Sequence, residues 1–319
     1  IYQSIIGNTN HKFRTGLSFV ADKYDELFRN TNYKRNENVG GAFFEYTYSY
    51  LKKLDIILGI RGDHNSLYGF FVTPRFHLRY QPAEKTTIRL AFGKGQRTAN
   101  ILAENSSVLV SSRQVNIPTA VAGKAYGLNQ EVAWSTGITL DQKFRLFNRN
   151  GSIGLDYYRT SFSNQAVVDF DRSVQEVNFY NLDGKSYSNS FMIEWTVEPV
   201  KGLELKAAYR LEDVKQSMHG ELLRKNMLPM HRGLFAMNYK TKDEHWMLSS
   251  NVNLQGKSRY PISSTETEQR YTPIRTILSA QVTRYQGNFE FFLGGENLLN
   301  VSQINPVLGY EDPFGENFD

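Results

Sequence analysis

Leu203-Glu204-Leu205-Lys206-Ala207-Ala208-Tyr209-Arg210-Leu211-Glu212 decides how the chain is read. Leu203, Leu205, Ala207, Tyr209 and Leu211 fall on one face of an extended segment, and Glu204, Lys206, Arg210 and Glu212 fall on the other. Side chains alternate across a strand with a period of two, so this segment has one apolar and one charged face. The pattern recurs along the chain. Leu54, Ile56, Leu58 and Ile60 alternate with Asp55, Gly59, Arg61 and Asp63, with Ile57 breaking it, and Phe70, Val72, Phe76, Leu78 and Tyr80 oppose Thr73, Arg75, His77 and Arg79. Ile88, Leu90 and Phe92 oppose Arg89, Gly93 and Arg97, and Phe191, Ile193, Trp195 and Val197 oppose Ser190, Glu194 and Thr196. With the like alternation of Phe13 to Ala21, Trp134 to Leu140 and Trp246 to Leu254, and weaker segments near 39–51, 152–162, 231–239, 273–284 and 287–297, the reading gives roughly thirteen strands.

The connections alternate in length. Short ones fall at Lys52-Lys53, at 81–85, at 198–202 and at Thr241-Lys242-Asp243; long ones are expected at about 22–38, 98–130, 163–185, 213–230 and 257–272. Short turns at one end and long loops at the other are the pattern of an outer-membrane barrel, with the long loops outside. No stretch offers a long amphipathic helix to cover the apolar faces, so lipid is the partner they are expected to meet. A soluble propeller or stacked sandwich would show evenly spaced strands and a repeated motif, and the chain has neither.

Composition agrees. The chain carries 37 Lys+Arg against 32 Asp+Glu, a surplus too small for a dedicated nucleic-acid binder. Its 19 Tyr and 21 Phe suit pleated strands and membrane interfaces. Cysteine is absent, which removes disulfides and thiolate metal sites. The chain is hydrophilic on average, yet a spanning strand needs only about 9–11 residues with one apolar face. Runs such as Ile56-Ile57-Leu58-Gly59-Ile60 are far too short for a spanning helix. No charged leader and apolar signal core follow Ile1, so the chain is expected to start inside a longer product.

Three segments resemble TonB-dependent outer-membrane receptors, in the C-terminal part of their barrel. The first is His11-Lys12-Phe13-Arg14-Thr15-Gly16-Leu17, followed by Asp22, Asp25 and Glu26. The second runs from Thr73-Pro74-Arg75 through Tyr80-Gln81-Pro82 and Ile88-Arg89-Leu90-Ala91-Phe92-Gly93-Lys94-Gly95-Gln96-Arg97-Thr98-Ala99-Asn100 to Ala103-Glu104-Asn105. The third, Leu293-Gly294-Gly295-Glu296-Asn297-Leu298-Leu299-Asn300, is similar to the penultimate-strand signature of these receptors.

The resemblance implies an all-β, transmembrane, antiparallel up-and-down barrel, of which residues 1–319 form a single domain, the C-terminal portion. About 22 strands are implied for the whole. A plug domain and several strands are expected before Ile1 and a last strand after Asp319, so the chain alone is expected not to close. The implied function is energy-coupled uptake of a scarce nutrient, with a passive porin, a structural barrel of a surface or secretion assembly, and an outer-membrane hydrolase as alternatives. Implied partners are outer-membrane lipid, a TonB-type energy-transducing protein acting through the plug, an accessory surface lipoprotein, and a small-molecule, peptide or glycan ligand. No cofactor and no nucleic acid is expected. Siderophore, haem, cobalamin, oligosaccharide, peptide and metal-chelate receptors share this barrel grammar.

Candidate ligand-binding residues fall in two groups. Arg61, Arg75, Arg79, Arg89 and Arg97 lie on the polar face of consecutive strands, where a basic wall would steer an anionic solute. The plainer reading is a wet interior in which each arginine pairs with a carboxylate. The loop from Ala99 to Gln130 is long enough to fold over a pore mouth and offers Asn100, Glu104, Asn105, Arg113 and Gln114. Its plainer reading is a short helical turn over 100–104 packed back on the rim. Met218, His219, Met227, Met230 and His231 bring together copper-type ligands, but their spacing fits no established metal motif. No Gly-x-Ser-x-Gly elbow frames a nucleophile, so no catalytic residue is assigned. Phe44, Tyr46, Tyr48 and Tyr50 share one face and are read as lipid-facing, with Tyr50 in the interfacial girdle.

Overall fold

The computed structural model describes residues 1–118, 123–146, 148–261 and 271–303, with Asp312, Phe314 and Gly315. In chain order the first strands are β1 (Tyr2–Ile5), β2 (His11–Phe28), β3 (Thr31–Tyr50), β4 (Leu54–Asn65), β5 (Gly69–Ala83) and β6 (Thr86–Arg97). Next come β7 (Gln114–Asn116), β8 (Glu131–Leu146), β9 (Arg149–Asn164), β10 (Ala166–Asp169), β11 (Glu176–Asn181) and β12 (Ser186–Val200). The last are β13 (Leu203–Met218), β14 (Glu221–Arg224), β15 (His231–Lys240), β16 (Trp246–Gln255), β17 (Arg275–Gln286) and β18 (Phe289–Gly295). One short helix, α1 (Ile101–Glu104), and two single 3-10 turns complete the elements among the described residues. No helix among the described residues is long and apolar enough to cross a membrane.

Fifteen strands form one sheet in the order β1-β2-β3-β4-β5-β6-β8-β9-β12-β13-β15-β16-β17-β18, with β14 paired only to β13. Each pairing is antiparallel, the up-and-down arrangement the alternation predicts. The path holds one strand more than the roughly thirteen expected, because the four-residue β1 was not counted. β14 and β15 follow β13 one after the other: β14 pairs with its outer end from Lys215 to Met218, and β15 with its other end from Leu203 to Leu211. Among the described residues β1 and β18 have no neighbour on their outward edges.

The register carries the apolar residues from strand to strand on one face. Leu90 lies opposite Ile138, Ile138 opposite Tyr157, Tyr157 opposite Phe191, and Phe191 opposite Leu211. This face is open: Leu17 is 84% exposed, Phe19 72% and Leu293 81%. Among the described residues no second sheet or helix covers it. Burying nothing, it gains nothing in water, and lipid is the medium in which such a band is stable.

Two expectations need correction. Residues 22–38 are not a long loop but the outer half of the β2–β3 hairpin, paired in register from Ala21↔Asn38 to Phe28↔Thr31. The turn uses two residues, Arg29 (φ 45°) and Asn30 (φ 66°), the pair of positive φ values that tight hairpins require. The segment looks like a loop in sequence because both its faces are polar. Beyond the lipid, a strand has no need of an apolar face. Residues 213–230 are likewise partly strand, since Asp213 to Met218 end β13 and β14 folds back on Lys215 to Met218, leaving 225–230 as the run between β14 and β15. The expected connections after β6 and β9 fall at this same end, opposite the short turns, and of the one expected at 257–272 residues 262–270 lie outside the described residues.

The third motif has a local explanation. Asn297 adopts φ 52°, and its side chain accepts from Val301 N at 2.9 Å and donates to Val301 O at 3.0 Å. It thereby closes the exit turn of β18.

Candidate functional site

The face opposite the lipid band carries paired charge. Arg61 forks onto Asp63 (2.7 and 2.5 Å) and reaches Ser18 Oγ at 2.6 Å. Arg75 pairs with Glu45, which also receives Arg14 at 3.6 Å. Arg79 binds Asp55 at 3.1 Å and Gln81 at 2.6 Å, and Arg89 pairs with Asp141. Arg97 holds Glu104 with both terminal nitrogens (2.7 and 3.0 Å) and Glu131 through Nε at 2.8 Å. All five arginines are thus matched by carboxylates, which is the plainer of the two readings. A cation whose charge is cancelled a few ångström away has a weak field in the lumen beyond it.

Small residues make these pairs possible. Glu45, Gly59 and Arg75 lie side by side in register on three strands. A Cβ at Gly59 would stand 2.6 Å from Arg75 Nε, so the arginine lies flat across the glycine to reach Glu45. Gly41 gives the same clearance to Asp63 and Arg61.

The long loops at the outer end hold the apolar core of the molecule. Ala99, Ile101, Leu102, Val108, Ala125, Tyr126, Leu128, Val177 and Phe179 are all buried together, and Phe28 and Tyr33 from the β2–β3 tip pack against them. Val177 and Phe179 come from β11, which with β10 and β7 forms a three-stranded sheet within this cap, β7 running parallel to β11 through Val115↔Val177. The short helix expected as the plainer reading of 100–104 is present as α1, with Ile101 and Leu102 buried. Phe28, Tyr33, Arg35 and Glu37 share the face of the arginine pairs by register, so the cap leans over the lumen side of the wall.

Arg35 is the centre of the cap's polar contacts. Its guanidinium lies 3.6 Å from the Tyr24 ring centroid, contacts Glu26 at 3.4 Å and donates to Asn100 Oδ1. Tyr126 donates its hydroxyl to the same Glu26. Burial first, and then that carboxylate, push the Tyr126 phenol well above the usual tyrosine range. Thr98 and Asn65 donate to Glu37 at 2.5 and 2.6 Å.

A second knot ties three loops together. Arg259 donates to Asp171 with both terminal nitrogens, at 3.1 and 2.7 Å, and both side chains are almost fully buried (1% and 2% exposed). Arg259 Nε also reaches Arg224 O at 2.8 Å, and Asn226 donates to Asp171 at 3.3 Å. Two residues away, Asp169 receives the Tyr180 hydroxyl at 3.1 Å and meets His219 Nε2 at 2.8 Å. Burial, then the Asp169 charge, raise the Tyr180 phenol.

The predicted loop residues have unequal surroundings. Asn100 and Glu104 are held by Arg35 and Arg97, and Asn105 donates to Ile101 O at 2.8 Å across its own helical turn. Arg113 is buried, with its guanidinium 5.8 Å from the Phe170 ring centroid. Gln114 is exposed, donating to Asn116 at 3.2 Å. The soft-ligand group comes apart: His219 faces Asp169 in the cap, while His231 pairs with Tyr209 at 2.7 Å on the lipid face. Arg35, Glu37, Tyr126, Asp171 and Arg259 were not singled out in the sequence. Each acts through a partner on a distant segment, and no local motif marks them.

With this geometry in view, comparison with known proteins is direct. The sequence profile described as TonB dependent receptor-like, beta-barrel matches residues 2–298. Comparison with curated proteins finds no match. A mutant of the ferric enterobactin receptor PfeA from Pseudomonas aeruginosa aligns with a TM-score of 0.69 at 15% identity, covering 93% of this chain and 47% of that one. The siderophore receptor PirA from Acinetobacter baumannii gives 0.66 at 12% identity, covering 91% and 48%. The copper transporter OprC gives 0.67 at 11% identity, covering 91% and 48%. The chain therefore spans about half the length of these solved proteins. At such identities the structures speak for the fold, an outer-membrane β-barrel, and the profile speaks for the lineage. By that match over residues 2–298, the chain belongs to the TonB-dependent receptor family, whose members are outer-membrane transporters and not enzymes.

Proposed function

We propose that this chain forms wall and mouth of a receptor that imports a scarce nutrient across the outer membrane by energy coupling. The observation that carries the reading is the cap. A packed core over the lumen side of the wall, tied by the Arg35 and Asp171–Arg259 contacts, suits a gated receptor better than an open porin. A wall of mutually neutralised ion pairs also suits a pore that is not selective by its own field.

In this reading ligand meets the outer loops first, with Gln114 and the exposed edge of the 99–130 segment among its contacts. Energy reaches the pore from a TonB-type protein through a plug, and a surface lipoprotein assists. Metal chelates are the first ligand class to test, because structural relatives are named as ferric enterobactin, siderophore and copper proteins. Haem, cobalamin, oligosaccharides and peptides follow.

The test is growth of a strain lacking the gene on media each limited in one nutrient, alongside a strain lacking the transducing protein. A defect on one nutrient, shared by both strains, supports energy-coupled import. A defect independent of the transducer turns the reading to a passive porin, and indifference to every nutrient overturns import.

A further inference from the structure

The lipid-facing side of the wall is not uniform at its outer rim. Above the Leu90–Ile138–Tyr157–Phe191–Leu211 row, one ladder step carries Lys94, Trp134, Ser161, Tyr187, Lys215 and Arg224 in register across β6, β8, β9, β12, β13 and β14. Just below it in the next row Arg159 lies opposite Thr136 and Asn189, and Asn189 opposite Asp213. Lys185, just outside β12 and exposed, extends the group upward. Five cations therefore stand with two acids: Asp213, which sits 3.8 Å from Lys215 and 3.7 Å from Arg224, and the exposed Asp183, two residues before Lys185. Among the described residues Lys94, Arg159 and Lys185 make no ion pair.

The height of this stripe follows from strand geometry. Trp134 stands roughly ten residues above Phe144 on β8, which at about 3.3 Å per residue and about 40° of tilt is about 25 Å. That is the thickness of the apolar band of an outer-membrane barrel, so the cations lie level with the outer headgroups. The aromatics are arranged to suit. Trp134 stacks on Phe92 with centroids 5.1 Å apart, and the Arg159 guanidinium lies 4.8 Å from the Tyr187 ring centroid while donating to Asn189 at 3.0 Å. These side chains are held to face outward rather than left to fold over the rim. Elsewhere among the described residues the rim lacks this excess: on the β2–β3 hairpin Lys34 is neutralised by Asp25 at 3.1 Å, and at the outer ends of β16 and β17 the lipid face shows Leu254 opposite Thr276.

We propose that the β6–β14 sector binds the phosphate groups of an outer-leaflet glycolipid, so that the barrel carries bound lipid on this side. Phosphate accepts several charge-assisted hydrogen bonds at once, which suits guanidinium and ammonium groups spaced along a rim. A neutral headgroup leaves the excess charge unmatched.

The test uses the protein extracted from outer membranes in a maltoside detergent, with bound lipid counted by native mass spectrometry during titration with diphosphoryl lipid A or phosphatidylcholine. Lipid A is expected to be retained, and phosphatidylcholine not. Replacing Lys94, Arg159, Lys185 and Lys215 by Gln weakens lipid A by about fivefold per cation removed. The control pair Lys23→Gln and Lys34→Gln leaves it unchanged. If the fourfold variant fails to fold, the wild type decides: retention falls as ionic strength rises from about 0.05 to about 0.5 M. Equal retention of both lipids, or retention indifferent to charge and salt, overturns the proposal. So does a photo-crosslinking amino acid in place of Ser161 that captures a discrete protein in cells instead of lipid.

Discussion

The wall and the cap bury their apolar residues against different media. On the wall, Leu58 is 49% exposed and Ile60 54%, and their neighbours in the sheet are other side chains of the same outward face. In the cap, Ile101 and Leu128 are 1% exposed and Val177 is fully buried. The wall is held by its ladder of backbone hydrogen bonds, which lipid enforces because an orphaned group has no water to turn to. The cap is held as a soluble protein is, by close packing and by a few buried charges. One chain thus obeys two sets of rules, divided at the height where the lipid ends.

The largest expected effect separates the two kinds of ion pair that go with this division. Arg259→Met leaves Asp171 as a buried carboxylate without its main partner and should weaken the cap by about 3–5 kcal/mol. Lys34→Met breaks the Lys34–Asp25 pair, whose side chains are 64% and 56% exposed, and should cost no more than about 1 kcal/mol. Hydrogen exchange at the amides of 166–181 reads the first, and exchange at the β2–β3 tip reads the second. Equal protection in both variants would erase the distinction drawn between cap and rim.

Next comes packing. Leu128→Ala removes a side chain from a closed cluster and should cost about 2–5 kcal/mol, seen as faster exchange and faster proteolytic nicking within 99–130. Leu58→Ala on the wall opens no cavity, because lipid chains fill the space, so its cost should stay below that of Leu128→Ala. A thermal shift for Leu58→Ala as large as that for Leu128→Ala would mean that the wall residue is covered by protein.

The same division explains what could be read in advance. Wall strands were legible because the lipid imposes a local rule on every second residue, as at Leu203 to Glu212. Where that rule lapses, at Asp22, Lys23, Asp25 and Glu26 opposite Glu37 to Tyr33, the ladder runs on but the pattern that betrays it is gone. The arginine pairs were open to two readings, since whether Arg75 meets Glu45 depends on a register that a one-residue slip would reverse. The cap was the least legible part. Ile101 and Val177, or Asp171 and Arg259, are brought together by closure of the loops, and their immediate neighbours in sequence say nothing of it.

A smaller effect probes the lumen face alone. Gly59→Val places a branched side chain where Arg75 now lies, with the first added carbon 2.6 Å from Arg75 Nε. The guanidinium must then leave Glu45. We expect a loss of about 1–3 kcal/mol by overpacking, read as a lower Tm of the folded barrel. Gly95→Ala, on the same face and with open space around its position, serves as the control and should be near neutral. If both behave alike, the glycine at 59 is not there for clearance.

The smallest effect lies at the end away from the cap, in the turn between β15 and β16. There the Asp243 carboxylate accepts from the Thr241 hydroxyl and meets His245 Nδ1 at 3.0 Å. The Thr241 hydrogen bond first, and then His245, hold its pKa down to about 2, against 3.8 for an unperturbed group. A depressed carboxyl pKa stabilises the fold above the unfolded value and loses that contribution as pH falls through the folded one. The gap in Tm between wild type and Asp243→Asn should therefore be constant from neutral pH to about 4 and should close as pH approaches 2. The group is fully exposed, so the gap is small at its widest. A gap that persists unchanged at pH 2 would mean that shape and not charge makes the turn, and that the short-turn end owes as little to electrostatics as the lipid-facing wall.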